Sequence, residues 1–416
     1  MLIEFRVANH RSILDEQALV MRAAGGGADP DDPTPRVVGR ERLLPVAAIY
    51  GANASGKSNM LNALAYMASA VIDSHARWDP LGGVPRDPFA WGRGRTEPSL
   101  FEVTIALEVG RAQYGFVVDD QRVLEEWLFV WPKSRRQRWF ERDTNGVLFG
   151  ERFPDAQRIG SPMSRPNSLL LSAAVQNGSS QLAPIYRWFR SLRTDCPVNV
   201  GAAELGSSVR HVRRMVSDMS HAASVDPKDE DKLRQVADLL NVADTGILDL
   251  RVEASTPRDP KGPRQPRFWA LHAGAPDAWL PLEQESDGTQ ALFHLGLVML
   301  PALRDGGVVV LDELGHGLHP LLASQLVQRF NDPATNPKGA QLLFSTHDTA
   351  LLHGEDDRPS LRRDQIWLAE KDQQGATTLT PLSRYKPRAG ENLAKGYLRG
   401  RFGGVPYLGG APGAQR

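Results

Sequence analysis

Residues Pro45–Ser58 read PVAAIYGANASGKS, and Asn59–Ser74 continue as NMLNALAYMASAVIDS. The opening six are almost wholly apolar, as expected of a strand buried on both faces. The closing sixteen place Met60, Leu61, Leu64, Met67 and Val71 at helical spacing. Between them, Gly51, Gly56, Lys57 and Ser58 fit the spacing G-x-x-x-x-G-K-[ST]. The turn Gly51, Ala52, Asn53, Ala54, Ser55, Gly56 lets the main chain curl until successive amides point inward at an anion. The helix start, Lys57, Ser58 and Asn59, adds unpaired N–H groups and a positive dipole end. Lys57 is expected to reach the β- and γ-phosphates of a nucleotide, and Ser58 to ligate Mg²⁺.

A phosphate loop needs a carboxylate, and VVVLDE (Val308–Glu313) supplies one at the end of an apolar run. Ligands of open parallel sheets bind at the carboxyl edge of the strands. Asp312 is therefore placed to hold Mg²⁺, directly or through water, and Glu313 to polarise an attacking water. LLFSTHD (Leu342–Asp348) repeats the pattern of apolar strand and polar edge, which puts His347 near the γ-phosphate.

The flanking sequence fits a cytoplasmic α/β protein. Its 49 basic and 49 acidic residues cancel, so any binding to nucleic acid or membrane must come from a local patch. One cysteine, Cys196, excludes an internal disulfide and a cysteine-based zinc site, and reads as an idle thiol. Glu4, Arg6 and Arg11 interrupt what a signal peptide would need as an apolar run. The longest apolar stretch, Leu292–Leu303, contains His294 and falls short of the roughly 20 residues of a membrane span.

Met1–Val7 and Glu16–Met21 read as an opening hairpin, and Phe101–Val109, Gln113–Val118 and Gln121–Trp131 as a β-meander extended by Trp139–Glu141 and Val147–Phe149. Ser207–Met219, Asp229–Leu240, Thr289–Leu303 and Pro320–Phe330 read as helices, and Phe268–Leu271 with Ala278–Leu282 as a hairpin. Three parts follow: 1–160 with the phosphate loop and meander, a helical insertion lobe at 161–255, and 256–416 with the acidic pair. Glu125 and Glu126, adjacent on a strand, must face opposite ways and cannot meet one substrate. Lys133, Arg135, Arg136, Arg138 and Arg142 crowd a hairpin beside Trp131 and Trp139, a patch that suits nucleic acid or a solvated loop. The stretch 361–401 carries a local excess of basic residues, read as a charged exposed face, and Gly354–Asp357 as an acidic surface turn.

GANASGKS, ESDGTQ (Glu285–Gln290), VVVLDELGHGLHP and FSTHD, in that order, resemble the ATP-binding-cassette and SMC/RecF-like branch of AAA-type P-loop ATPases. ESDGTQ resembles that branch's signature loop, with Ser286, Gly288 and Gln290 at its serine, glycine and glutamine, and His347 resembles the switch histidine. EFRVANHRSI, QRVLEEWL (Gln121–Leu128), RPNSLLLSAAVQN (Arg165–Asn177) and YLRGRFGGVP (Tyr397–Pro406) narrow the likeness to stand-alone bacterial ATPases related to the ATPase half of OLD nucleases. Many of those are ATPase subunits of Rlo-type or abortive-infection antiviral pairs. LGHG (Leu314–Gly317) departs from the more charged segment usual there, and no glutamine takes the place of the loop that reports magnesium to the helical lobe.

The resemblance implies an ATPase fold of the ABC/SMC type: a largely parallel sheet flanked by helices, with an antiparallel meander and an inserted helical lobe. It also implies a homodimer sandwiching two ATP molecules with Mg²⁺, in which Ser286 and Gly288 face the nucleotide of the other protomer. The 69 residues after His347 are fewer than the roughly one hundred of a TOPRIM domain, so a separate nuclease or other effector is expected. A RecF-like DNA-repair ATPase is the alternative. A transport cassette fits less well, because over 200 residues separate Ser58 from Ser286. A nucleotide-gated scaffold with little turnover is a further possibility.

Overall fold

The computed structural model describes residues 1–24, 34–108, 110–133, 135–153, 155, 164–196, 227–254, 266–353, 360–387 and 391–405. The expected helix at Ser207–Met219 and the acidic turn Gly354–Asp357 lie outside the described residues. Two large sheets organise the molecule. One is six-stranded, in the order Arg193–Thr194, Val308–Leu311, Gln341–Ser345, Val46–Tyr50, Ile366–Lys371, Thr377–Pro381. Every neighbouring pair in it is parallel except the last. The other is the antiparallel meander, seven strands wide, with Leu2–Ala8 between Gln17–Val20 and Ser99–Leu107.

The run VAAIY is buried at every position because the parallel sheet has a core on each face. Ala47 and Ile49 join Val308, Val310, Leu343 and Trp367 in one core, which the helix Lys57–Asp73 shares with the meander. Val46, Ala48 and Tyr50 join Val309, Leu311, Leu342 and Phe344 in the other. There the helices Pro227–Val242, Asp287–Asp305 and Pro320–Asn331 cover the sheet. The architecture is an α/β one, a largely parallel sheet flanked by helices together with an antiparallel meander, as expected from the motifs. Among the described residues, no helix is long and apolar enough to cross a membrane.

Several strands escape sequence reading. Arg193–Thr194 is two residues long and has no period. Ile247–Ala254 forms a small sheet with the hairpin Pro266–His272 and Trp279–Pro281. Ile366–Lys371 and Thr377–Pro381 correct the reading of 361–401 as a charged face: Ile366, Trp367, Leu368 and Ala369 are buried beside the phosphate-loop strand.

Two segments singled out in the sequence have structural tasks beside the phosphate-loop helix. Arg165 Nη2 donates to the carbonyls of Ser74 at 2.9 Å and His75 at 3.1 Å, just past the helix end, where unpaired C=O groups favour a cation. Asn167 Nδ2 binds the carbonyls of Asp79 and Gly82 at 2.8 and 2.9 Å. Glu125 and Glu126 do face opposite ways: Glu125 is exposed and Glu126 wholly buried. Glu126 accepts from the Tyr114 hydroxyl at 2.9 Å and from the amides of Leu170 and Leu171 at 2.6 and 3.0 Å. It thereby satisfies the first turn of the helix Leu170–Gln176, a structural task.

At the other side of the phosphate-loop helix, His10 Nε2 meets Asn62 Oδ1 at 2.9 Å, packed beside Tyr66 and Phe101. Complete burial pulls the His10 pKa from 6.5 down to about 4. The unfolded chain takes up this proton near pH 6.5 and the folded chain does not, so the stabilisation is intact above that pH and lost as pH falls toward 4. The loss is roughly 3 kcal/mol at most. Urea denaturation of the wild type and His10→Gln between pH 7 and pH 4 is expected to show a shallower acid decline in the variant.

Candidate functional site

Three strands far apart in sequence deliver the site because they run parallel and end together. Leu311 pairs with Phe344, Phe344 with Ala48, and Ser345 with Ile49. Gly51, Asp312 and Thr346–His347 therefore leave the sheet at one carboxyl edge, where open parallel sheets bind ligands.

The loop closes on itself. Lys57 is buried, and its Nζ donates to the carbonyls of Gly51 at 2.8 Å and Ala52 at 3.0 Å. Gly56 caps the helix at φ 100°, and a Cβ there would lie 2.1 Å from Thr377 Oγ1 and 2.7 Å from Ser12 Oγ. Only glycine fits. Ser12 and Thr377 form a brace: Thr377 Oγ1 donates to the Ser55 carbonyl at 2.8 Å, Ser12 Oγ lies 2.7 Å from Thr377 Oγ1, and Asn59 Nδ2 reaches Ser12 Oγ at 2.6 Å. Neither residue was legible as part of the site. Ser12 read as a turn residue, and Thr377 lies 319 positions beyond Ser58 on an unforeseen strand.

The acids are held as firmly. Ser345 Oγ donates to Asp312 Oδ1 at 2.5 Å and accepts from the Glu313 amide at 2.8 Å. Glu313 adopts φ 54°, a left-handed conformation that side chains other than glycine rarely take, and its side chain is exposed at the edge. Burial lowers the Lys57 pKa while the charges of Glu313 and Asp312 oppose that fall, so the ammonium lies in the field of both acids. His347 is exposed at the same edge.

One acid was missed. Asp195 follows the short strand Arg193–Thr194, and its Oδ1 accepts from the Asp312 amide at 2.8 Å. Burial raises its pKa to about 6. In sequence it stands 117 residues before Asp312, so only the strand pairing reveals it. Its neighbour Cys196 is a buried thiol whose pKa burial pushes up.

The signature-like residues sit at the start of the helix Asp287–Asp305, two residues earlier than the periodicity placed it. Ser286 is the N-cap, its Oγ accepting from the Thr289 amide at 3.2 Å, and it is exposed. Gln290 Nε2 ties back to the Glu285 carbonyl at 2.9 Å. A Cβ on Gly288 would lie 2.8 Å from the Gly317 carbonyl, so this helix start packs on the segment that follows the acids. The glycine-rich LGHG leaves Gly315 and Gly317 free to take φ 97° and 75° there.

These residues fit a magnesium-bound nucleoside triphosphate. The cradle is tight enough that a Cβ at Gly51 would lie 2.5 Å from both Ser55 Oγ and the Ala369 carbonyl, and Ser55 Oγ is buried with no hydrogen-bond partner of its own. Among the described residues, no group of three or more His, Cys, Asp or Glu side chains forms a metal cage. Mg²⁺ does not need one, since it is commonly held by one or two protein oxygens together with phosphates and water. In the basic hairpin Lys133, Arg135, Arg136 and Arg138 are exposed, while Arg142 is turned inward. Arg142 Nη1 donates to the Ser168 carbonyl at 2.7 Å, Arg138 pairs with Glu141 at 2.8 Å, and Arg136 stacks 3.5 Å over Phe129.

Sheet order, glycine loop and converging acids define a P-loop nucleotide-binding protein of the ATPase type. The family model described as "AAA domain, putative AbiEii toxin, Type IV TA system" matches residues 46–353, and the chain belongs to this AAA-domain family. A comparison with curated proteins gives no match. Among solved structures, the SMC head bound to the C-winged helix domain of ScpA aligns with 91% of this chain and 96% of its own at 13% identity. Its TM-score of 0.47 adds nothing to the fold read from the sheets.

Asp195→Ala removes the acceptor that holds the Asp312 amide. It is expected to weaken magnesium-dependent binding of a fluorescent ATP analogue about 10-fold, while Asp195→Asn, which keeps an acceptor, stays within about 3-fold.

Proposed function

We propose that the chain binds and hydrolyses ATP with Mg²⁺ at residues 51–59, and that two copies sandwich the nucleotides to form a clamp controlling a separate effector in antiviral defence. The observation that carries the catalytic half is the convergence of the Lys57 loop with Asp312 and Glu313 at one sheet edge. The loop amides and Lys57 bind and orient the phosphates, and Lys57 neutralises charge on the transferred group. Glu313 accepts a proton from the attacking water, and His347 orients the same water or the γ-phosphate. Ser58 and Asp312 would hold Mg²⁺, which supplies charge neutralisation at the phosphate oxygens when bound.

The dimer half is supported by the exposed start of the helix at Ser286. A helix N-terminus attracts anions, and Ser286 faces outward where a second protomer's γ-phosphate can meet it. Two-fold symmetry then uses the same feature twice. The γ-phosphate holds the halves together, hydrolysis releases them, and the clamp becomes a switch. The defence role rests on the OLD-related and Rlo-like flanking motifs, and the family's toxin–antitoxin description points toward a conditional effector system. The DNA-repair alternative keeps an exposed basic patch in Lys133, Arg135, Arg136 and Arg138, while Arg142 is turned inward onto the Ser168 carbonyl.

Lys57→Ala is expected to abolish retention of the ATP analogue, and Glu313→Gln to retain it while phosphate release falls at least about 100-fold. Mixing Lys57→Ala with Ser286→Ala protomers, each inactive alone, is expected to restore phosphate release through one intact composite site. No recovery in the mixture, with mixed dimers shown to form, would overturn the shared site.

A further inference from the structure

The motif YLRGRFGGVP has no role in the ATPase reading, yet it folds against the root of the phosphate loop. The helix Leu393–Leu398 presents Tyr397, which is buried and packs edge-on against Tyr50 with ring centroids 5.6 Å apart. Tyr50 is the last residue before the loop. The Tyr397 hydroxyl donates to the Gly404 carbonyl at 3.0 Å, which closes the segment into a ring. A Cβ on Gly404 would stand 3.5 Å from Gly51 Cα and 3.5 Å from Tyr397 Cε2. The Gly404 amide is held by Glu370 Oε1 at 3.1 Å, on the strand whose Leu368 pairs with Tyr50. Burial raises the Tyr397 pKa, and the nearby main-chain amide of Gly51 works in the other direction.

The same aromatic pair reaches the switch segment. The Tyr50 hydroxyl donates to the Asp348 carbonyl at 3.0 Å, one residue beyond His347. Phe402, buried against Tyr385 at 5.9 Å, and the Arg401–Glu391 ion pair anchor the segment from outside. From Gly404 to His347 there is one chain of contacts, through Tyr397, Tyr50 and Asp348.

We propose that residues 393–405 form an intramolecular collar on the phosphate loop, with Tyr397 as a positioning residue that sets the Gly51 end of the loop and, through Tyr50, the segment carrying His347. The nucleotide-binding consequence rests on the reading of residues 51–59 as the ATP loop; the collar itself does not.

The test uses the full chain with Tyr397→Phe, which keeps the ring and removes the hydroxyl. Hydrogen–deuterium exchange of the peptide covering 50–56, without nucleotide, is expected to quicken several-fold. Affinity for a fluorescent ATP analogue with Mg²⁺ is expected to fall about 5-fold, with the unfolding midpoint near that of the wild type. Gly404→Ala disturbs the collar from the other side and is expected to move the same two readouts. Unchanged loop exchange in both folded variants would overturn the collar, as would a lowered melting point with exchange and affinity unaltered. If the wild type fails to retain the analogue, the ATP reading falls, and the exchange comparison still decides the collar.

Discussion

The parallel pairing of Val46–Tyr50 with Gln341–Ser345, and of that strand with Val308–Leu311, is the constraint on which the site depends. Parallel strands share a direction, so their carboxyl ends must share an edge. Gly51, Asp312 and His347, spread over nearly 300 residues, are brought to one place by hydrogen-bond register alone. A slip of one residue would reverse the facing of every side chain on the slipped strand and put each into the core on the wrong side of the sheet. The double-sided core makes such a slip costly, which is why the edge can hold a closely fitted constellation.

On that edge, short polar side chains do the fixing. Ser345 ties Asp312 to the Glu313 amide, Asp195 holds the Asp312 amide, and Ser12 and Thr377 hold Ser55 and Asn59. The longer side chains Glu313 and His347 are exposed there. Lys57 is the exception, folded back onto the carbonyls of its own loop. That arrangement satisfies the ammonium and keeps it within the cradle where a phosphate would compete for it.

The phosphate-loop helix is fixed at both ends by chain segments remote from it. Arg165 and Asn167 hold the turns beyond its last residue, and the segment around Tyr397 and Gly404 packs on the strand that feeds its first. Arg165, Asn167, Tyr397 and Gly404, from two of the flanking motifs read as family markers, are therefore scaffolding for this element and the strand before it. Their physical work is to hold in place a loop whose small residues could otherwise adopt many conformations.

From the amino-acid order alone came the elements that short-range physics dictates. These were the apolar run VAAIY, the glycine spacing with Lys57 and Ser58, the acidic pair after VVVL, and the meander with its alternating pattern. Each is a local pattern with a single cheap conformation, so it could be read without knowing its neighbours. Asp195, Ser12, Thr377, Ser345 and the contact of Tyr397 with the loop could not, because a serine, a threonine or a two-residue strand carries no periodic signal. Their meaning lies in pairings across tens to hundreds of positions, and only the closed tertiary structure brings those partners within hydrogen-bonding distance.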